Sequence, residues 1–176
     1  YPDVSKILLV ALFIRVVVML LGHYFITLPD STADARTFES IAWTHSLRNA
    51  SHEAHPNFFS LLEWYNGPQA HFITFFLSIP YYFLGRSILM AQSISLLFGI
   101  GSVFLGWKIS KIIWDNRVAK KIGWMIALFP SLILYSVLTM KEVYVSFFLL
   151  IALYGIVRWV KTNSLISFLI TLAGFT

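Results

Sequence analysis

Asp34 stands in the polar stretch PDSTADARTFESIAW (29–43), directly after the chain's first long apolar run. A carboxylate at that position lies where water meets lipid headgroups, and it can serve as a base toward a polar group that a lipid carries. Asp30, four residues earlier, is a rival for the same role. A second ionisable pair, Lys141-Glu142, falls between two later apolar runs. Each also has a plain structural reading. Asp34 and Glu142 suit the first turn of a helix, where the macrodipole favours an acid, and Lys141 suits a cation snorkelling to an interface. Joint chemistry requires elements that bring the two sites to one side of a membrane.

The composition makes a membrane the natural setting. The 176 residues are 58% hydrophobic and 12% charged, with a mean hydropathy of +0.76. A soluble domain carries about 25% charged residues. Apolar runs of about 20 residues match a hydrocarbon core of about 30 Å, so the chain reads as an all-α, polytopic helical membrane protein. The net charge of +5 does not point to nucleic acid, because the basic residues cluster in short segments beside apolar runs, as in cytoplasmic loops. With no cysteine there is neither a disulfide nor a thiolate metal site. The first run is not followed by a small-residue cleavage site, which argues against a cleaved signal peptide.

Spans are expected over about 7–28, 88–109, 122–138 and 143–160, with an apolar run over 165–176 too short to cross, as in the N-terminal part of a longer chain; residues 1–176 read as one transmembrane module. Arg15 and His23 lie inside the first span and need protein partners there. Residues 29–69 carry five acids against Arg36 and Arg48, a net of −3, and belong outside. Ser31 followed by Asp34 fits a capping box, and Phe38, Ile41, Ala42 and His45 share one helical face, so a surface helix is expected over about 34–47. Pro56, Gly67 and Pro68 mark an irregular loop around the apolar patch 58–62.

Residues 70–84 decide the topology. They are apolar but contain Pro80, and a helix of that length reaches only about 22 Å, short of a span. If they crossed, residues 108–121, with five cations against Asp115 and a net of +4, would face outside, against the positive-inside rule. A second surface helix over about 70–84, within an outer loop of 29–87, returns those cations to the cytoplasm and puts Asp34 and Lys141-Glu142 on the outer side. Pro130 predicts a kink in the third span, and Ser102 with Gly106 gives the small-xxx-small spacing of close helix packing. His45, His52, His55 and His71 match no zinc spacing and read as interfacial polar residues.

One span, an acid opening a surface helix with an aromatic four residues on (Asp34, Phe38), a Gly-Pro segment into a second surface helix, LGRS at 84–87, WDNRVAKK at 114–121 and LFPSLILYSVLTMKEVYVSFFLL at 128–150 together form an ordered layout. It resembles the polytopic GT-C glycosyltransferases over nearly the whole chain, and within them the protein O-mannosyltransferase and lipid A aminoarabinose transferase branch. The resemblance implies a GT-C-like transmembrane module with juxtamembrane helices in the first outer loop. It implies inverting transfer of a sugar from a polyprenyl-phosphate donor to a glycan, lipid or protein acceptor on the extracytoplasmic face. By the same resemblance Asp34 is the catalytic base, Glu142 a second acid of the cavity, and Lys141, Arg36 and Arg86 the cations for the leaving phosphate. The layout departs from the family at Ala35, where mannosyltransferases often carry an acid, and at Gly67-Pro68, where aminoarabinose transferases place a lysine before the proline. No cofactor is implied, and a divalent metal stays open. Two other functions fit a chain of this composition: a transporter or flippase for a lipid-linked sugar, with Arg15 and His23 on its pathway, and a non-catalytic membrane scaffold.

Overall fold

The computed structural model describes residues 2–29, 31, 34–51, 71–163 and 165–175. Asp30, His52, His55, Pro56, the patch 58–62, Gly67 and Pro68 lie outside the described residues, as do the side chains of Asp34 and His71. Among the described residues every regular element is an α-helix: α1 (Pro2–Tyr24), α2 (Asp34–Ser51), α3 (His71–Leu84), α4 (Ile88–Ile113), α5 (Asn116–Leu128), α6 (Pro130–Val137), α7 (Lys141–Thr162) and α8 (Leu165–Phe175).

Three of these, α1, α4 and α7, are long and apolar enough to cross a membrane, with mean hydropathies of 2.6, 2.0 and 2.0. Large apolar side chains such as Leu9, Phe13, Leu97, Val145 and Leu149 point away from the protein interior along them, the pattern of helices whose outer faces meet lipid. A fourth crossing is available if α5 and α6 count as one bent segment.

That segment differs from the single kinked span expected over 122–138. It starts earlier, at Asn116, because the Asp115 carboxylate accepts from Val118 N–H at 2.7 Å and caps α5. It then breaks by 56° at Phe129, whose extended backbone lets Pro130 open α6 as a new first-turn proline. The 14-residue α3 spans about 21 Å and carries Pro80 within it.

α4 and α7 run parallel. Ser95 Oγ and Tyr144 OH are 2.8 Å apart near their starts, and the Lys161 ammonium donates to the Ile112 carbonyl at their ends. A ring cluster of Phe98, Tyr144, Phe147 and Phe148 fills the space between them, and a methyl on Gly101 would fall 2.4 Å from Phe147. α1 runs the other way, with Val4 packed beside Trp107 and Ala119 and Met19 beside Leu96 and Leu138. α8 folds back on α7 after Asn163, whose left-handed backbone (φ 46°) ends α7. Backbones meet in that hairpin, since a methyl on Gly155 would lie 2.6 Å from Thr171 N and one on Gly174 2.4 Å from Ala152 N.

The C-terminal end of α1 and the N-terminal ends of α4 and α7 therefore share one end of the bundle. The hairpin of α2 and α3 caps that end, with Ala42, Ile73, Leu77 and Tyr81 packed against Ala91, Val143 and Tyr144.

Candidate functional site

At this shared end the chain turns sharply after α1. Phe25 N–H and Ile26 N–H both donate to the Leu21 carbonyl, and Leu28 folds back onto Gly22, where a methyl would meet its Cδ1 at 2.4 Å. The Ser31 hydroxyl donates to the Leu28 carbonyl at 2.6 Å and closes this turn; the Asp34 side chain of the expected capping box lies outside the described residues. α2 then opens at Asp34.

Between the turn, the first turns of α2, the start of α4 and the α6–α7 connection lies a cavity of about 380 Å³. His23, Thr27, Ser31, Arg36, Glu39, Gln92 and Thr139 supply its polar wall, and Phe25, Ile26, Ile88 and Leu138 its apolar one. A volume in the range of about 300–1,000 Å³ with convergent polar groups is the usual form of a small-molecule site. Phe25 and Ile26 are largely exposed, so one flank of the cavity opens on an apolar surface.

Glu39 is the buried acid of this wall, 3% exposed. Arg86 holds it in a two-point ion pair, Nε to Oε1 at 2.9 Å and a terminal nitrogen to Oε2 at 2.7 Å. The Tyr81 hydroxyl lies 3.0 Å from Glu39 Oε1 and 3.3 Å from the Ser87 carbonyl, with one proton to give. Burial, and then the Glu39 charge and hydrogen bond, push the Tyr81 phenol above its ordinary value, so it is a donor throughout the neutral range. The hydrogen bond to Glu39 likewise raises the Arg86 guanidinium.

The LGRS segment makes this contact possible. Gly85 takes φ 82°, a left-handed backbone suited to glycine, which ends α3 and turns Arg86 toward Glu39, while Ser87 caps α4 by accepting from Met90 N–H.

A second, smaller cavity of about 30 Å³ lies behind the α6–α7 connection, with Arg15, Gly99, Ser102, Tyr135, Glu142 and Ser146 among its lining residues. Arg15 is 1% exposed and held at two of its nitrogens: its Nε donates to Ser136 Oγ at 3.0 Å, and one terminal nitrogen to the carbonyls of Ala127 (2.9 Å) and Ala11 (3.3 Å). The Ala127 carbonyl is left over by the break between α5 and α6, and a buried cation is a fitting partner for it. Glu142 Oε2 is buried without a hydrogen-bond partner among the described residues.

The residues singled out from the sequence thus divide. Arg36 lines the larger cavity, and the backbone of Asp34 opens α2 immediately before the lining residues Ala35 and Arg36. Arg86 stands beside that cavity, bound to Glu39. Glu142 lines the smaller cavity with Arg15, and Lys141 is exposed and lines neither. Among the described residues no three His, Cys, Asp or Glu side chains group to hold a metal. The sequence reading passed over Glu39, although a signal was available: it falls in the buried stripe Ala35, Phe38, Ala42, Ser46 of α2, an acid on an otherwise apolar or small face.

The class this fold and site define is a helical protein with three or four segments suited to crossing a bilayer and a polar cavity at one end of them. Comparison with protein families, curated proteins and solved structures finds no match for the chain.

Proposed function

We propose that the chain is the membrane module of a glycosyltransferase that takes its sugar from a polyprenyl-phosphate donor. The observation that carries this reading is the position of the larger cavity: Ala35 and Arg36, the residues after Asp34, line it, and its open flank at Phe25 and Ile26 is apolar. A donor with a polar head on a hydrocarbon tail needs that combination. The basic segments at the opposite ends of α4, α5 and α7 then face the cytoplasm, and the cavity faces outward.

In this reading Asp34 accepts the proton of the acceptor hydroxyl as its oxygen attacks the anomeric carbon. The bond between that carbon and the phosphate oxygen breaks, and the electron pair leaves with the lipid phosphate. Arg36 faces the charge that develops there. Glu39, not Glu142, is the second acid at the cavity wall, and Arg86 keeps it paired so that it does not repel the donor phosphate.

The test uses the purified chain in nanodiscs with polyprenyl-phosphate sugars, following release of free polyprenyl phosphate. Asp34→Asn should bind the donor and lose turnover, and Arg36→Gln should weaken donor binding. Full turnover in a folded Asp34→Asn variant would overturn the assignment of the base, and a wild-type chain that binds no polyprenyl phosphate would overturn the reading as a whole.

A further inference from the structure

The other end of the bundle holds an arrangement that sugar transfer does not use. Tyr154 of α7 is buried between two cations from different helices. The Lys108 ammonium of α4 lies 4.7 Å from the centre of its ring and 5.4 Å from that of Phe104, and Arg158 approaches the Tyr154 hydroxyl at 3.4 Å. Tyr154, Arg158 and Lys161 fall at i, i+4 and i+7, one face of α7, and that face meets α4.

Two positive charges here share one phenol. Among the described residues no carboxylate pairs with either, and the Arg86–Glu39 ion pair lies at the far end. Asp115, an acid described at this end, is occupied in capping α5 through Val118 N–H. The C-terminal dipoles of α4 and α7 account for Lys161, which donates to the Ile112 carbonyl, but their effect fades within the last turn, and Lys108 and Arg158 lie at or beyond its edge. Like charges held together at a bilayer edge call for an anion.

The surroundings say which kind. Trp114, Trp159, Ile113 and Val160 are exposed at this level, an aromatic and apolar rim of the type found where helices enter headgroups. A soluble anion would have no use for such a rim, and a phospholipid would bury its glycerol and acyl chains against it. We infer that the surface where the C-terminal halves of α4 and α7 meet binds the phosphate of an anionic phospholipid, with Lys108 and Arg158 contacting the phosphate oxygens and the Tyr154 hydroxyl free to donate to one of them.

Native mass spectrometry of the whole chain, released from micelles doped with phosphatidylglycerol or phosphatidylcholine, tests this. The wild type should retain phosphatidylglycerol in preference. Each of Lys108→Gln and Arg158→Gln should cut that preference about fivefold, and the pair together roughly twentyfold. Arg117→Gln, an exposed cation at the same end, should leave it within about twofold. The proposal fails if neither single variant lowers the preference, if Arg117→Gln lowers it as much as they do, or if the wild type has none. Displacement of the lipid by millimolar inorganic phosphate would overturn the lipid assignment in favour of a soluble anion. The two single variants decide the matter if the double variant does not fold, and none of these outcomes depends on sugar transfer.

Discussion

Replacing Arg86 by Met strips Glu39 of both strong donors and leaves, among the described contacts, the Tyr81 hydroxyl at 3.0 Å. Removing one partner of a buried ion pair costs about 3–5 kcal/mol, because the surviving charge stays in a low dielectric. The Arg86 side chain is 45% exposed, so water reaches part of the vacated space and the cost falls to the lower end, about 3 kcal/mol. For a chain of this size, about 2–4 °C per kcal/mol gives a fall in Tm of roughly 6–12 °C. In Glu39→Gln/Arg86→Met the charge is gone, and the amide still accepts from Tyr81, so the remaining loss is about 1 kcal/mol and most of the melting temperature returns. The measurement is the intrinsic-fluorescence melt of four proteins in one detergent: wild type, each single variant and the double. A double variant that melts at or below Arg86→Met would refute the reasoning, since the instability would then come from lost packing and not from an unpaired carboxylate.

Gly99→Ala should destabilise the chain by about 1–3 kcal/mol, because the new methyl would lie 2.4 Å from Ser136 Cβ and 3.5 Å from Arg15 Nε; the same melt reads it, and an unchanged melt would show that α4 and α6 can part freely. Single cysteines at the exposed positions Ser40 and Asn116 should react with a membrane-impermeant maleimide from opposite sides of sealed vesicles, and labelling from one side would mean that α3 crosses the membrane. Tyr81 titrates above its unfolded value, so the contribution of its neutral form is complete below about pH 10 and is lost as pH rises through the raised value. The melting temperature should therefore fall above pH 10 more steeply in wild type than in Tyr81→Phe, and parallel slopes would remove Tyr81 from the Glu39 cluster.

Helix number and order were largely legible from the apolar runs, but ends set by caps and turns were not: α1 stops at Tyr24, short of the expected 28, and α5 and α7 start at Asn116 and Lys141, ahead of the expected 122 and 143. Helices were expected over 34–47 and 70–84, and α2 and α3 stand there within a few residues. The break at Phe129 was legible as a kink but not as a 56° bend, since a proline marks where a helix weakens and neighbouring helices set how far it turns. Partnerships were not legible. Arg15 meets Ser136 across 121 residues, and Glu39 meets Arg86 across 47, and no periodicity announces either pairing. Glu142 illustrates the same limit. Its place at a helix start could be read from the sequence, but its position in the smaller cavity with Arg15 could not.

Arg15 also has a history in time. Its carbonyl acceptor, Ala127, is made 112 residues later, and at about 5–20 residues per second the ribosome needs roughly 6–22 s to reach it. During that interval the Ala11 carbonyl of α1 itself remains among the partners described for the guanidinium, and a central arginine costs about 2.5–3.5 kcal/mol on the scale by which helices partition into bilayers. The hydropathy of Val4–Tyr24, the highest of the three long helices at 2.6, offsets that cost. α1 is thus the most apolar of the three long helices and the one that carries a buried cation whose distant partners, Ala127 and Ser136, are made last.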